Sequence, residues 1–268
     1  MYRACFKALK AMTGVLTLLA TALVAAPAAT QEPPREKVAL LLNRTATGEH
    51  SLFYYGVQSG LYREEGIELA IQEGRGSNLT VEAVEKEAVT FGYADSIIAI
   101  RWMTQGAPVK LIGVLVQTSP IGLISLSERN IRQPRDLVGK KLVFEPRDAA
   151  EQVFTAFSRA TGLKEGDLDI AEQDGTSQHA AFLAGKADLL AGSVNDVAIL
   201  VEDETGKRVA FMRYADFGVN VLNNGIVVRN SHLIAKPDLV RRFMRASTRS
   251  AEAARANPAE SVAALLAV

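Results

Sequence analysis

Polar residues in this chain recur where short apolar runs end, and their types define the chemistry open to it. Asn43 and Arg44 follow Val38–Leu42, Ser77 follows the turn after Ile67–Gln72, and Asp95 and Ser96 follow Val89–Tyr93. Gln117 follows Val109–Val116, Glu145 follows Lys141–Phe144, Asn195 and Asp196 follow Ala187–Ala191, and Asn223 and Asn224 precede Gly225–Arg229. In open α/β sheets ligands bind beyond the carboxyl ends of strands, so these residues are candidates to line one site. Tyr54 and Tyr55, in the first turn of the first helix, add aromatic faces near the same mouth. A small-molecule cleft needs such faces and a few convergent polar groups. The ligand-contact set is therefore Asn43, Tyr54, Tyr55, Ser77, Asp95, Ser96, Gln117, Glu145, Asn195 and Asp196. The plainer roles are structural: Asp95, Asp148 and Asp196 can cap helices, and one of the two tyrosines must face the core.

Ser77, Arg44 and Arg147 would suit an oxyanion, whereas Asp95, Glu145 and Asp196 would repel one. Carboxylates aimed into a closed cleft need donors, which an amino-substituted nitrogen heterocycle supplies while stacking on a tyrosine. Gly74-Arg75-Gly76-Ser77-Asn78-Leu79 opens like a dinucleotide fingerprint, but Leu79 stands where the third glycine belongs. The better reading is a tight turn exposing helix amides; the plainer one is a helix start capped by Ser77 or Asn78. Nucleophile-elbow, P-loop, H-E-x-x-H and C-x-x-C signatures do not occur, and none of His50, His179 and His232 has a second histidine at ligand spacing. A Ser-His-Asp triad is assembled in space and leaves no such signature. The expectation is a binder with no catalytic residues, no metal and no cofactor.

The elements that must position these residues alternate strand and helix, which predicts an α/β fold with mainly parallel sheets. Two such series, joined at 116–121 and near 218–225, predict two lobes: 37–117 with 222–268, and 118–221. Helices are expected at 51–59, closed by Gly60; at 78–88; at 96–105; at 149–161, with Asp148 and Glu151 as a capping box; at 179–184; at 194–202; and at 237–256, opened by Pro237. Val109–Val116 reads as a buried strand. Asn257, Pro258 and Glu260 make a further helix start, about two turns before the last residue, so a truncated product is expected. Arg241, Arg242, Arg245 and Arg249 share a helical face whose default role is solvation.

Arg3, Lys7 and Lys10, the apolar run 11–24 and Ala26-Pro27-Ala28 predict a signal peptide over 1–28 and export to the periplasm. The sole cysteine, Cys5, lies inside it, so the exported chain would lack thiols. Lys plus Arg equal Asp plus Glu at 30 each, which gives no electrostatic reason to expect nucleic acid or an anionic membrane as partner. A monomer is expected.

One stretch, LFYYGVQSGLYREEGIEL (52–69), resembles the opening of solute-binding proteins of the nitrate, sulfonate, taurine and thiamine-pyrimidine-precursor group. The likeness continues through GRGSN (74–78), FGYADS (91–96), QGAPVKLIGVLVQTSP (105–120), IRQPRDLVGKKL (131–142), LAGKADLLAGSVND (183–196), NNGIVVRN (223–230) and PDLVRRFMRAS (237–247). It implies a type II periplasmic-binding-protein fold with a hinge and an interlobe cleft, export, and an ABC importer permease and ATPase as partners. It carries ligand contact onto Asn43, Tyr54, Ser77, Asp95 and the 193–196 turn. Within that group, the count of acids at the strand ends favours a thiamine pyrimidine precursor or a similar heterocycle, with a sulfonate, taurine or nitrate anion as the alternative. Glu87 departs from the pattern, standing where a glycine usually precedes the strand, and the chain ends earlier than such proteins do. A eukaryotic branch of the family synthesises the thiamine pyrimidine and carries a cysteine-rich metal motif; with Cys5 alone, this chain is read as a binder rather than a synthase.

Overall fold

The computed structural model describes residues 35–268, so the signal-peptide reading of 1–28 lies outside the described residues. In chain order the first elements are β1 (Glu36–Leu41), α1 (Ser51–Gln58), α2 (Leu61–Glu64), β2 (Ile67–Gln72), α3 (Ser77–Glu85), β3 (Phe91–Asp95), α4 (Ser96–Thr104) and β4 (Val109–Val114). The middle of the chain supplies β5 (Ile121–Leu126), β6 (Lys140–Phe144), α5 (Ala149–Thr161), β7 (Leu168–Glu172), α6 (Gly175–Leu183), β8 (Leu189–Ser193), α7 (Val197–Thr205) and β9 (Val209–Arg213). The last elements are β10 (Asn224–Arg229), α8 (Asn230–Ala235), α9 (Pro237–Ala256) and α10 (Pro258–Leu266).

The strands form two five-stranded sheets, ordered β2-β1-β3-β10-β4 and β7-β6-β8-β5-β9. The α/β expectation holds, but the sheets are mixed rather than mainly parallel. In each, two pairings are parallel and two antiparallel, because one strand runs against the other four: β10 in the first sheet and β5 in the second. Each reversed strand is the first after the chain changes sheets, so it enters from the opposite end. The two crossings are laced together: Leu115 and Val116 N–H donate to Asn224 O (3.0 and 3.1 Å), and Asn223 N–H donates to Val116 O (3.0 Å).

β3 and β10 are buried almost throughout because they are flanked on both sides, whereas β4, an edge strand, is half-buried despite its β-branched run. The core of the first sheet stacks Phe91 on Phe243 of α9 (centroids 3.9 Å apart, planes at 9°). α9 turns Leu239, Val240, Phe243, Ala246, Ser247, Ser250 and Ala254 inward at helical spacing. Its arginines are not merely solvated: Arg242 pairs with Glu36 and Asp238, Arg245 with Glu65 and Arg249 with Glu64. In the second sheet Phe157 stacks on Tyr214 at 4.7 Å.

Several expected ends move. α6 starts at Gly175 rather than His179, since Asp174 accepts from Ser177 N–H and caps it. α7 starts at Val197, not Val194, which is buried. The Asp148–Glu151 box forms by halves: Asp148 Oδ1 accepts Glu151 N–H at 2.7 Å, but Glu151 Oε2 reaches Arg147 N–H at 2.8 Å, not that of Asp148. Nor does the side chain of Asn257 cap α10; Glu260 instead accepts from Tyr55 (3.3 Å), and Ser261 bonds Ser51 (2.7 Å), which fastens α10 to α1.

β3 starts at Phe91 rather than Val89 because the preceding turn is left-handed at Glu87, with φ 58°. A side chain there costs about 1 kcal/mol or more against glycine. Glu87 offsets part of this by pairing with Arg229 and accepting from Ser231 at 3.0 Å. Opposing effects of similar size lead us to expect Glu87→Gly to unfold within about 1 kcal/mol of wild type in urea titration.

Candidate functional site

The strand ends converge. A cavity of about 720 Å³ lies between the two sheets, walled by residues at or just after the ends of β1, β2, β3, β6 and β8 and by Asn223 and Asn224 at the start of β10. Of the expected contacts, Asn43, Ser77, Asp95, Glu145 and Asp196 line it. Tyr54, Tyr55, Ser96, Gln117 and Asn195 lie off its wall. Tyr54 packs against the core of the first sheet, and Tyr55 turns to Glu260 on α10. Ser96 is fully buried and donates to Asn223 O, while Gln117 and Asn195 are exposed.

The glycine turn before α3 is shaped by close approach. Gly76 has φ 115°, and a Cβ on Gly74 would sit 1.9 Å from Leu42 O. Gly74 N–H donates to Arg44 O and Gly76 N–H to Asn43 O (3.2 and 2.6 Å), binding the turn to the end of β1. No side chain caps α3: Ser77 Oγ accepts from Asp95 N–H (3.0 Å), and Asn78 Oδ1 accepts from Trp102 (3.1 Å). The capping role read for Ser77 or Asn78 is therefore replaced by contacts that tie α3 to β3 and α4.

Behind the wall runs a buried polar chain. Thr47 N–H donates to His50 Nδ1 (3.0 Å), which places the proton on Nε2, and that nitrogen donates to Asn43 Oδ1 (2.8 Å). Burial holds the His50 pKa below its ordinary value and favours the neutral ring. Asn43 reaches Asn224 Oδ1 (3.4 Å), Asn224 donates to Glu49 Oε1 (2.5 Å), and Tyr93 donates to the same oxygen (2.6 Å). Glu49 lines the cavity, and the sequence reading missed it because it precedes a helix instead of ending a strand.

The wall is acidic. Glu49, Asp95, Glu145, Asp148, Asp174 and Asp196 face two guanidinium groups, Arg44 and Arg75. Burial pushes Asp95 up to about 6, against the pull of the Ile97 and Ile98 amides. Burial likewise pushes Asp148 to about 7, with Glu145 among the groups raising it further. Glu145 is raised too, by burial and then by Asp174, while Arg44 opposes. Asp95 caps α4 through Ile97 N–H (2.8 Å) and still faces the cavity, where Asn223 donates to its other oxygen (2.7 Å). Capping and cleft lining are thus compatible in one side chain. Two bonds span the cavity mouth from sheet to sheet: Arg44 to Asp196 (2.7 Å) and Asn78 to Arg147 O (3.4 Å). Among the described residues no His, Cys, Asp and Glu cluster is suited to a metal ion, and no helix is long and apolar enough to cross a membrane.

This arrangement can hold a small molecule that brings hydrogen-bond donors to carboxyl groups. The chain is similar to riboflavin-binding protein RibY of Chloroflexus aurantiacus, 27% identical over 248 residues, covering 91% of this chain and 70% of RibY. It is equally similar, 27% over 229 residues, to the 4-amino-5-hydroxymethyl-2-methylpyrimidine phosphate synthase of Legionella pneumophila, covering 84% of this chain and 72% of the synthase. In fold it is similar to the periplasmic aliphatic sulphonate binding protein SsuA of Escherichia coli, with TM-score 0.70 at 16% identity over 86% of this chain and 73% of SsuA. The two-sheet architecture is thus the periplasmic-binding-protein fold, and with residues 47–261 matching its family profile, the chain belongs to the NMT1/THI5-like family.

Proposed function

We propose that this protein is the exported substrate-binding component of an ABC importer, and that it captures a neutral or cationic nitrogen heterocycle such as a thiamine pyrimidine precursor. The observation that carries the choice is the acidic wall, in which six carboxyl groups face two guanidinium groups and half-buried Glu145 accepts no hydrogen bond from the described residues. A sulfonate or nitrate brings acceptors only, so it is repelled by this wall and offers Glu145 no donor. The names of RibY and of the Legionella synthase, both concerned with nitrogen heterocycles, support the same class.

In this reading the lobes are 37–117 with 222–268, and 118–221. They close about the laced crossings near 116–121 and 218–225 by a hinge motion, with Arg44 and Asp196 meeting across the mouth. The protein acts as a monomer and delivers its ligand to a permease and ATPase. The synthase reading rests on the likeness to the Legionella protein, and it predicts altered ligand.

Incubation with 4-amino-5-hydroxymethyl-2-methylpyrimidine is expected to stabilise the protein by about 2.7 kcal/mol at 100 times the dissociation constant. Scattering should show a smaller radius of gyration, and mass spectrometry should recover the pyrimidine unchanged. Tight binding of taurine or nitrate with indifference to the pyrimidine would reverse the ligand assignment. Chemically altered pyrimidine would favour the synthase.

A further inference from the structure

Most polar groups on the cavity wall are occupied by the protein itself: Ser77 by Asp95 N–H, Asp95 by Ile97 and Asn223, and Asn43 by His50. Gln178 is different. It sits one turn into α6, on the inward face that also carries Ala181 and Phe182, with only 9% of its surface exposed, and it lines the cavity. Its Oε1 is buried without a partner, and its side-chain amide makes no hydrogen bond to any described residue. A buried amide left unpaired is costly, so a hydrophobic residue of the same length would be the more stable choice for folding alone.

We propose that Gln178 is a specificity-determining residue of the cleft, reading a ligand edge that carries a hydrogen-bond donor beside an acceptor. This deepens the proposed function and rests on its reading of the cavity as the ligand site. A carboxamide offers one acceptor and two donors in one plane. Its complement is an amino group next to a ring nitrogen, the pairing by which Asn and Gln read adenine. Rotating the amide exchanges its ends, so either order of donor and acceptor on the ligand can be met. An inorganic or sulfonate anion satisfies only the NH₂ end, and an aliphatic ammonium only the oxygen. Asp196 adds a second acceptor on the same half of the cleft: its Oδ2 is taken by Arg44 at 2.7 Å, while its Oδ1 is buried without a partner.

The test compares two probes by calorimetry: 4-amino-5-hydroxymethyl-2-methylpyrimidine and its counterpart lacking the amino group. Wild type is expected to prefer the amino compound at least about tenfold, the range of one bidentate pair. Gln178→Leu should bring the two affinities within about twofold, mainly by weakening the amino compound, and should leave the ligand-free melting temperature equal or higher. Gln178→Met, unbranched like glutamine, makes the same comparison should leucine fold poorly. A merely structural glutamine would alter stability and leave the ratio of affinities unchanged. Both variants retaining the wild-type ratio would therefore overturn the assignment of Gln178 while leaving the cleft in place. Failure of wild type to bind either probe would overturn the cleft reading, and with it the role of Gln178.

Discussion

Gly74→Ala is expected to cost about 3 kcal/mol of stability, large for the addition of one methyl group. The new Cβ would lie 1.9 Å from Leu42 O and 2.9 Å from Leu42 C, both backbone atoms, so no rotamer change relieves the overlap. Either the end of β1 or the turn before α3 must move, and the Gly74–Arg44 and Gly76–Asn43 backbone bonds stretch with it. That movement displaces Asn43 and Ser77 on the cavity wall, so affinity for the pyrimidine probe should fall at least about tenfold as well. Urea unfolding and calorimetry read the two effects separately. Gly48→Ala is the matched control: nothing lies within 4 Å of its added Cβ, and a change within about 0.5 kcal/mol is expected. A Gly74→Ala protein as stable as that control would show that the turn yields freely.

Asp95→Asn should stabilise the ligand-free protein at pH 8, and about half as much at pH 5. Burial raises the Asp95 carboxyl from 3.8 to about 6 in the folded state. Between those values the folded protein binds more protons than the unfolded one, so stability falls as pH rises through that window. Above pH 6 the full cost of holding the ionised group is present, on the order of 3 kcal/mol. Asparagine keeps an oxygen for the Ile97 amide and carries no charge, so the variant escapes this cost once the Asn223 amide flips to turn its oxygen, instead of its NH₂, toward the new NH₂. Asp148 acts in the same direction as Asp95. His50 acts against both, because its lowered pKa makes stability fall as pH drops below its ordinary value of 6.5. The difference between variant and wild type cancels the His50 contribution and leaves only the part of the Asp148 shift that Asp95 itself causes, which acts in the same direction. Denaturant unfolding at the two pH values measures it, and a difference that does not grow from pH 5 to pH 8 would show that Asp95 is carried ionised at little cost.

The same carboxyl shows how far local sequence reaches. Asp95 at the end of an apolar run, followed by helical spacing, is legible as a cap, and the cap forms. That it is also buried, bonded to Asn223 and turned into a cavity depends on a strand 128 residues further along the chain. Tyr54 and Tyr55 make the point from the other side. Their spacing says that one must face inward, but α10 decides what happens to the second by offering Glu260.

What the sequence by itself determined is the succession of elements. The strand at Ile67–Gln72 and the helices at 149–161 and 237–256 were readable to the residue, because periodicity, caps and prolines act within one or two turns. The α/β class follows from their alternation. Only the tertiary structure decided that β5 and β10 run against their neighbours, that β4 is an edge strand and that Glu87 holds a left-handed turn by pairing with Arg229. It also placed Glu49 and Gln178 on the cavity wall, although neither follows a strand. Burial, charge pairing and an unpartnered amide are set by groups far apart in the chain, such as Asn43 and Asn224, which are separated by 181 positions; no local pattern encodes such a meeting.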